Sequence, residues 1–132
     1  KGIVSFAMGR NNNNQLVFDT FDLAVSKYPD AHPLFHSDRG FQYTSKQFKF
    51  RLDKAGMKQS MSRVGRCIDN GPMEGFWGIL KCEMYYLSSF RDYDSLAAAI
   101  ESYIYFYNNE RRQKKLNKMS PKTYRQLLEN AA

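Results

Sequence analysis

Short apolar runs separated by helical patterns give the chain an alternating organisation. The runs Ile3–Met8 and Ala31–Phe35 have the length and content of strands, and the more polar segment Met57–Ser62 is predicted as a third strand. Between and after them, apolar residues recur at helical spacing. Alternation of strands and helices is typical of α/β domains, in which helices cover a sheet. The pattern therefore predicts an α/β fold.

Three of the predicted helices have a recognisable end, and a fourth is predicted from its apolar stripe. The asparagine run Asn11–Asn14 can supply an N-cap for the first, and Ser45 can cap a second helix that Gly56 ends. A long apolar stripe predicts a third helix over about 94–108. Ser120-Pro121 has the residue types of an N-cap and N1 pair and predicts a last short helix.

Two carboxylates occupy positions where the backbone element is expected to change. Asp38 follows the predicted strand Ala31–Phe35, at the carboxyl end, where open α/β sheets place their chemistry. Glu74, 36 positions further on, falls in the first turn of a helix in which Pro72 suits N1 and the positive helix end favours an ionised acid. Acids placed in this way often hold a metal ion. Taken singly, Asp38 is equally a common turn residue and Glu74 a favourable first-turn acid.

Four motifs follow one another along the whole chain. They are residues 35–43 (FHSDRGFQY), 60–63 (SMSR), 69–83 (DNGPMEGFWGILKCE), and 107–111 (YNNER) with Ser120-Pro121. In this order and spacing they resemble the signatures of bacterial insertion-sequence transposases with a retroviral-integrase-type catalytic core. Four ordered motifs are far more specific than any one of them.

The resemblance implies a fold and a catalytic site. In that family two aspartates and one glutamate, the DDE triad, bind two divalent metal ions on a ribonuclease-H-like fold. Asp38 matches the second aspartate and Glu74 the glutamate, so both are expected to be catalytic and to bind Mg²⁺ or Mn²⁺. The first aspartate has no counterpart, because in the family it lies upstream of the segment that resembles Lys1–Arg10. We therefore expect an integrase core with a mixed sheet flanked by helices, truncated at its amino end and lacking the first strands.

The chemistry of phosphodiesters explains why such a site needs metals. Two ions about 3.5–4 Å apart neutralise charge on the attacking and the leaving oxygen. Mg²⁺ is usually held by one or two carboxylates together with substrate phosphate, so loss of one carboxylate weakens the site without erasing it. The resemblance thus implies a DDE transposase for DNA cleavage and strand transfer, expected to be inactive as this chain alone. Two alternatives stay open: a catalytically inert DNA-binding remnant, and a ribonuclease-H-like metal-dependent nuclease.

The formal net charge of +7 is concentrated in one stretch. Seven basic and no acidic residues lie between Arg111 and Arg125, and the other 13 basic residues balance 13 acidic ones. Concentrated basic charge favours nucleic-acid phosphates, although a lone basic run is also typical of a solvated face. Beside a phosphodiester-cutting site we expect DNA contacts, which we assign to Arg111, Arg112, Lys114, Lys115 and Lys118.

Three more basic residues are candidates for DNA contacts. Lys81 follows Glu74 by seven positions on the same helical face, and a basic residue at that offset contacts DNA in related integrases. Lys81 could equally be an ordinary solvated lysine. Arg63 and Arg66 lie in the polar loop before that helix, which is either a mobile flap near DNA or an exposed connection. Trp77, also on this helix, is expected in the core.

Length and composition predict one domain over residues 1–132, with a basic helical segment at 111–132. There is no transmembrane run and no secretory signal, and Cys67 and Cys82 fit free thiols in a reducing compartment. The resemblance implies a bacterial cytoplasmic protein, associated with the nucleoid, whose partners are transposon ends and target DNA. Because a missing first strand would leave sheet edges unpaired, we also expect a homo-oligomer or an aggregation-prone chain.

Overall fold

Helices dominate the structure, a computed structural model that describes residues 2–132. Among those residues it contains two strands and six α-helices, so the fold is mixed α/β and mostly helical, with a smaller sheet than the sequence predicts. The elements are α1 (Asn14–Lys27), β1 (Phe35–Ser37), α2 (Phe41–Thr44), α3 (Lys46–Lys54), β2 (Gln59–Met61), α4 (Gly71–Glu83), α5 (Tyr93–Asn109) and α6 (Pro121–Ala131). Short 3₁₀ turns lie at Cys67–Asn70, Tyr85–Leu87 and Lys114–Leu116.

The chain forms two compact units. One is Ser5–Phe76, here called the amino-terminal unit. The other, here called the carboxy-terminal unit, is Trp77–Ala132 together with the described residues up to Val4. Helix α4 begins in the first unit and ends in the second.

Strands β1 and β2 are parallel and pair residue for residue, from Phe35 opposite Gln59 to Ser37 opposite Met61. The strand before Asp38 is therefore confirmed, but it begins at Phe35 and not at Ala31. Pro33 has no N–H to donate to a ladder, which explains why the strand does not start earlier. The two-stranded parallel sheet also differs from the mixed sheet that we expected.

The predicted strand Ile3–Met8 is wrong, because these residues are neither strand nor helix. Asn108 takes the place of a neighbouring strand at Ile3. The Ile3 amide donates to Asn108 Oδ1 at 2.7 Å, and Asn108 Nδ2 donates to the Ile3 carbonyl at 2.8 Å. A side chain that satisfies one residue in this way cannot extend a ladder along the segment.

Aromatic side chains form the core of the amino-terminal unit. Phe48 and Leu52 of α3 are fully buried, with 0% exposure, and pack with Phe18 and Phe21 of α1. The Phe48 ring centroid lies 5.4 Å from that of Phe21 and 5.1 Å from that of Phe35 in β1. This core fixes β1, and with it the position of Asp38.

The residues that the sequence predicts as helix caps are the caps in the structure. Asn13 caps α1 by accepting from the Leu16 amide, and Ser45 caps α3 by accepting from the Phe48 amide. In the carboxy-terminal unit Ser120 caps α6 and Pro121 is its first residue, as predicted. Helix α5 buries Tyr103, Ile104 and Tyr107 of the predicted stripe. In residues 2–132 there is no helix with both the length and the apolar content needed to span a membrane.

Candidate functional site

Asp38 lies exposed at the carboxyl end of β1, one residue after the strand. Its Oδ1 accepts from the Gly40 amide at 2.8 Å, a turn that the aspartate itself stabilises. A Cβ atom at Gly40 would lie only 3.0 Å from both Asp38 Oδ1 and Gln42 Oε1. Glycine therefore leaves room for this carboxylate. Burial, and secondly the charge of Asp38, raise the pKa of Tyr43 in the following helix.

Glu74 lies exposed in the first turn of α4, as predicted. The positive end of the helix favours its ionised form. A Cβ atom added at Gly71, Gly75 or Gly78 would meet no atom within 4 Å, so the helix surface around Glu74 is open. Asp38 and Glu74 are thus two exposed carboxylates of the same unit, one at a strand end and one at a helix start.

An ion pair between Arg63 and Asp69 joins the two ends of the segment 63–69, which precedes α4. The Arg63 amide and Nε donate to Asp69 Oδ2 at 2.9 and 3.0 Å, and an Arg63 terminal nitrogen donates to Oδ1 at 2.8 Å. These bonds hold the pKa of Asp69 well below its ordinary value and raise the pKa of Arg63. Arg63 therefore orders the turn that leads to Glu74, whereas Arg66 is exposed. The segment contains a 3₁₀ turn rather than only irregular loop.

Helix α4 has a buried and an exposed side. Phe76 and Leu80 are buried, while Glu74 and Lys81 are exposed. Trp77 is 44% exposed, so its predicted place in the core is wrong. The reason is geometric, because Trp77 follows the buried Phe76 by one position and is turned about 100° away from it.

The two carboxylates fit divalent metal chemistry only in part. Their hard oxygen atoms suit Mg²⁺ and Mn²⁺. However, over residues 2–132 no three or more His, Cys, Asp or Glu side chains are grouped to hold a metal ion. Asp38 and Glu74 therefore have the right donor type, but no third His, Cys, Asp or Glu of the described residues joins them.

The basic segment separates into paired and unpaired side chains. Arg111 Nε lies 2.6 Å from Glu83 Oε1, and Arg125 Nε lies 2.8 Å from Glu129 Oε1. Within the described part of the chain, the other basic residues of the segment form no ion pair. The exposed members proposed for DNA contacts are Arg112, Lys114, Lys115 and Lys118.

Comparison with known proteins identifies the family. Residues 1–67 match the Integrase core domain family, and residues 74–127 match a second family of the same description. The chain belongs to the integrase core domain family. This family implies the ribonuclease-H-like fold. No solved structure matches the chain.

Three curated relatives are similar to this integrase core over nearly its whole length. An uncharacterized transposase-like protein of Haemophilus influenzae is 39% identical over 93% of the chain and 57% of the relative. The insertion element IS600 uncharacterized 31 kDa protein of Shigella sonnei is 40% identical over 94% of the chain and 46% of the relative. A transposase for insertion sequence element IS904 of Lactococcus lactis is 35% identical over 92% of the chain and 49% of the relative. The chain spans about half the length of these relatives.

Sequence reasoning missed one polar cluster of the integrase core. Glu83, the last residue of α4, accepts from Arg111 Nε with both oxygens, at 2.6 and 2.8 Å, and from the Tyr103 hydroxyl at 3.3 Å. The Arg111 guanidinium also lies 5.7 Å from the centre of the Tyr107 ring. The pairing joins residues that are 28 positions apart, so no short sequence pattern predicts it. Arg111, expected at DNA, is thus engaged in holding the fold.

Proposed function

We propose that this chain is the part of a DNA transposase that supplies Asp38 and Glu74 to the site of DNA cleavage and strand transfer. One observation carries the proposal: in an integrase core domain, both matching carboxylates lie exposed on one unit, at a strand end and in the first turn of a helix. The names of the relatives add support, since they include a transposase for an insertion sequence.

The metal would be Mg²⁺ or Mn²⁺, which supplies charge neutralisation at the oxygens of a phosphodiester undergoing displacement. With only two matching carboxylates among the described residues, we propose that this chain binds the metal weakly and has little strand-transfer activity alone. The DNA partner would be bound through its phosphates by exposed basic residues outside α6, namely Lys81, Arg66, Arg112, Lys114, Lys115 and Lys118. Assembly as a homo-oligomer belongs to the same proposal.

Binding of Mn²⁺ tests the two carboxylates directly. Trp77 is the only tryptophan and lies three positions after Glu74 on α4, so its fluorescence can report a paramagnetic ion bound nearby. We expect Asp38→Asn and Glu74→Gln each to weaken Mn²⁺ binding by about tenfold or more, since affinity for hard cations follows the number of charged ligands. The matched controls Asp30→Asn and Glu101→Gln remove exposed acids elsewhere and should bind Mn²⁺ like the original chain. Equal binding by all four variants would reject the site.

A second candidate function is an inert DNA-binding remnant. The observation that favours it is the incomplete acid group, combined with unpaired basic residues that need no metal. In a remnant, Glu74→Gln would leave every DNA-dependent property unchanged, while Lys114→Glu combined with Lys115→Glu would abolish DNA binding. A transposase core requires that Glu74→Gln also change Mn²⁺-dependent cutting or joining, measured in a protein that carries this chain together with the first aspartate of the family's triad. Cut but never joined products would instead indicate a nuclease.

A further inference from the structure

A closed loop in the basic segment carries three lysines. It runs from Gln113 to Met119 and is called here the lysine loop. Its ends are joined because the Gln113 amide donates to the Met119 carbonyl at 3.1 Å and the Lys118 amide donates to the Gln113 carbonyl at 3.0 Å. Leu116 is buried at its centre, so the loop is anchored to the carboxy-terminal unit. The backbone is therefore fixed before any ligand binds.

The backbone of the lysine loop adopts a conformation that lysine disfavours. Asn117 and Lys118 have φ of 53° and 60°, the left-handed region in which a Cβ atom crowds the backbone. In the described residues the other positive φ values belong to Gly56 and Gly65. Asparagine tolerates this region, but glycine would fit position 118 with less strain. Strained residues of this kind are concentrated at functional sites.

The three lysines of the lysine loop form no ion pair with the residues that the structure describes. Lys114, Lys115 and Lys118 are exposed, and among the described residues none of them forms an ion pair. The loop itself contains no acid. By contrast, Arg111 and Arg125, which flank the loop in the sequence, are both paired with glutamates. Of the five basic residues of the segment that form no ion pair with the described residues, three therefore lie on this closed loop, and the other two, Arg112 and Lys122, lie on either side of it.

We propose that the lysine loop is a preformed site for consecutive phosphates of a DNA strand, and that Lys118 keeps its strained backbone because its ammonium group contacts phosphate. The inference rests on the proposed DNA function and adds that three of the basic residues form one preformed site, with a strained backbone at Lys118. Ammonium groups bind phosphate as point charges without base specificity. A loop that is already ordered loses little conformational freedom on binding, which favours affinity.

Salt dependence of DNA binding locates the phosphate contacts. Binding of the chain to a fluorescent DNA duplex is measured at several salt concentrations for Lys114→Ala, Lys115→Ala and Lys118→Ala. Each variant should reduce the slope of log affinity against log salt by about 0.9, the value for one lost phosphate contact. Lys122→Ala is the matched control, since it removes the same charge from exposed α6 outside the loop. A control that loses as much slope as the loop variants would overturn the proposal.

Glycine substitutions separate backbone strain from phosphate binding. Lys118→Gly should raise the melting temperature, because the strain is relieved, and yet weaken DNA binding by several-fold. Asn117→Gly changes the neighbouring left-handed residue, which asparagine already tolerates, and should leave both the melting temperature and the DNA affinity nearly unchanged. If Lys118→Gly binds DNA like the original chain, the proposed role of Lys118 is wrong. A melting temperature that falls in Lys118→Gly would likewise contradict the strained loop.

The result for the unsubstituted chain distinguishes this inference from the proposed function. If that chain does not bind duplex DNA even at low salt, the DNA function itself fails. If it binds and the three loop variants bind equally well, only the lysine loop is rejected, and the contacts lie elsewhere on the chain.

Discussion

The two units of the chain are stabilised by different kinds of interaction. The amino-terminal unit has an aromatic core around the fully buried Phe48, and its Lys49–Asp53 ion pair lies at the surface. The carboxy-terminal unit includes a partly buried ion pair between Arg111 and Glu83, to which the Tyr103 hydroxyl also donates. Phe48 lies in a cluster of aromatic and aliphatic side chains in the unit that carries the candidate acids, whereas a partly buried ion pair lies beside the buried Tyr103 and Tyr107 in the unit that carries the basic segment.

This difference shows how to separate structural from functional charges. In the amino-terminal unit, Asp38 and Glu74 are exposed carboxylates outside the aromatic core. In the carboxy-terminal unit, Arg111 is paired with Glu83, while Lys118 forms no ion pair with any residue that the structure describes. A basic residue whose charge is already neutralised contributes little to phosphate binding, because fewer counterions are released there. Pairing in the structure is therefore a better guide than position in the basic run.

Removal of Phe48 should have the largest effect on stability. Phe48→Ala deletes a side chain with 0% exposure that contacts several aromatic rings, and we expect the free energy of unfolding to fall by about 3–5 kcal/mol. Urea unfolding followed by circular dichroism measures the change. The matched control is Phe50→Ala on the same helix, where the ring is 66% exposed and the loss should be well under 1 kcal/mol. Similar losses for the two variants would show that the aromatic core does not hold this unit.

Removal of Arg111 should have a smaller effect on stability, in the carboxy-terminal unit. Arg111→Met leaves the partly buried Glu83 carboxylate without its cation, and we expect a loss of about 1–2 kcal/mol after allowing for solvent screening. The side chains of Arg111 and Glu83 are 24% and 33% exposed. Unfolding by urea at neutral pH measures the change.

The control for Arg111 is the other arginine pair of the segment. Arg125 and Glu129 are 56% and 59% exposed and lie one helical turn apart, so Arg125→Met should cost only about 0.3–0.5 kcal/mol. If the two arginine variants lose equal stability, then burial does not distinguish the pairs. The difference between the units would in that case lose its physical basis.

The parts of the fold that follow from local sequence could be predicted. The caps at Ser45 and Ser120 depend on a side chain that bonds to an amide three residues away, so the residue type reveals them. The placement of Asp38 after a strand and of Glu74 in a first helical turn is local in the same sense. These two features of the candidate site are determined by short stretches of sequence.

The parts that depend on distant partners could not be predicted. Whether Ile3–Met8 forms a strand depends on a neighbouring strand, and Ile3 instead binds the side chain of Asn108, 105 positions away. The pairing of Arg111 with Glu83 is equally non-local. A basic run looks uniform in the sequence, so the division between the paired Arg111 and Arg125 and the remaining basic residues, which form no ion pair with the described residues, required the structure. The prediction that Trp77 lies in the core is wrong because Trp77 follows the buried Phe76 by one position, and one position along a helix turns the side chain by about 100°.

Ionisation of one half-buried and one buried tyrosine gives the finest test of the difference between the units. Burial, and secondly the charge of Glu83, raise the pKa of Tyr103 to about 12. The pKa of Tyr43 in the other unit is raised by burial and then by Asp38. Because the folded pKa of Tyr103 exceeds the unfolded value, its neutral form adds stability below about pH 10 that is lost as the pH rises toward 12.

Substitution of each acid should therefore change the pKa of the tyrosine in its own unit only. Glu83→Gln should lower the pKa of Tyr103 while leaving it above the ordinary value, because burial remains the larger cause. Asp38→Asn should lower the pKa of Tyr43 and leave Tyr103 unchanged. With nine tyrosines in the chain, phenolate absorbance is measured as the difference from Tyr103→Phe or Tyr43→Phe in each background. If Glu83→Gln shifts both tyrosines equally, the charge acts through loss of the fold and not through the local contact of Glu83 with Tyr103.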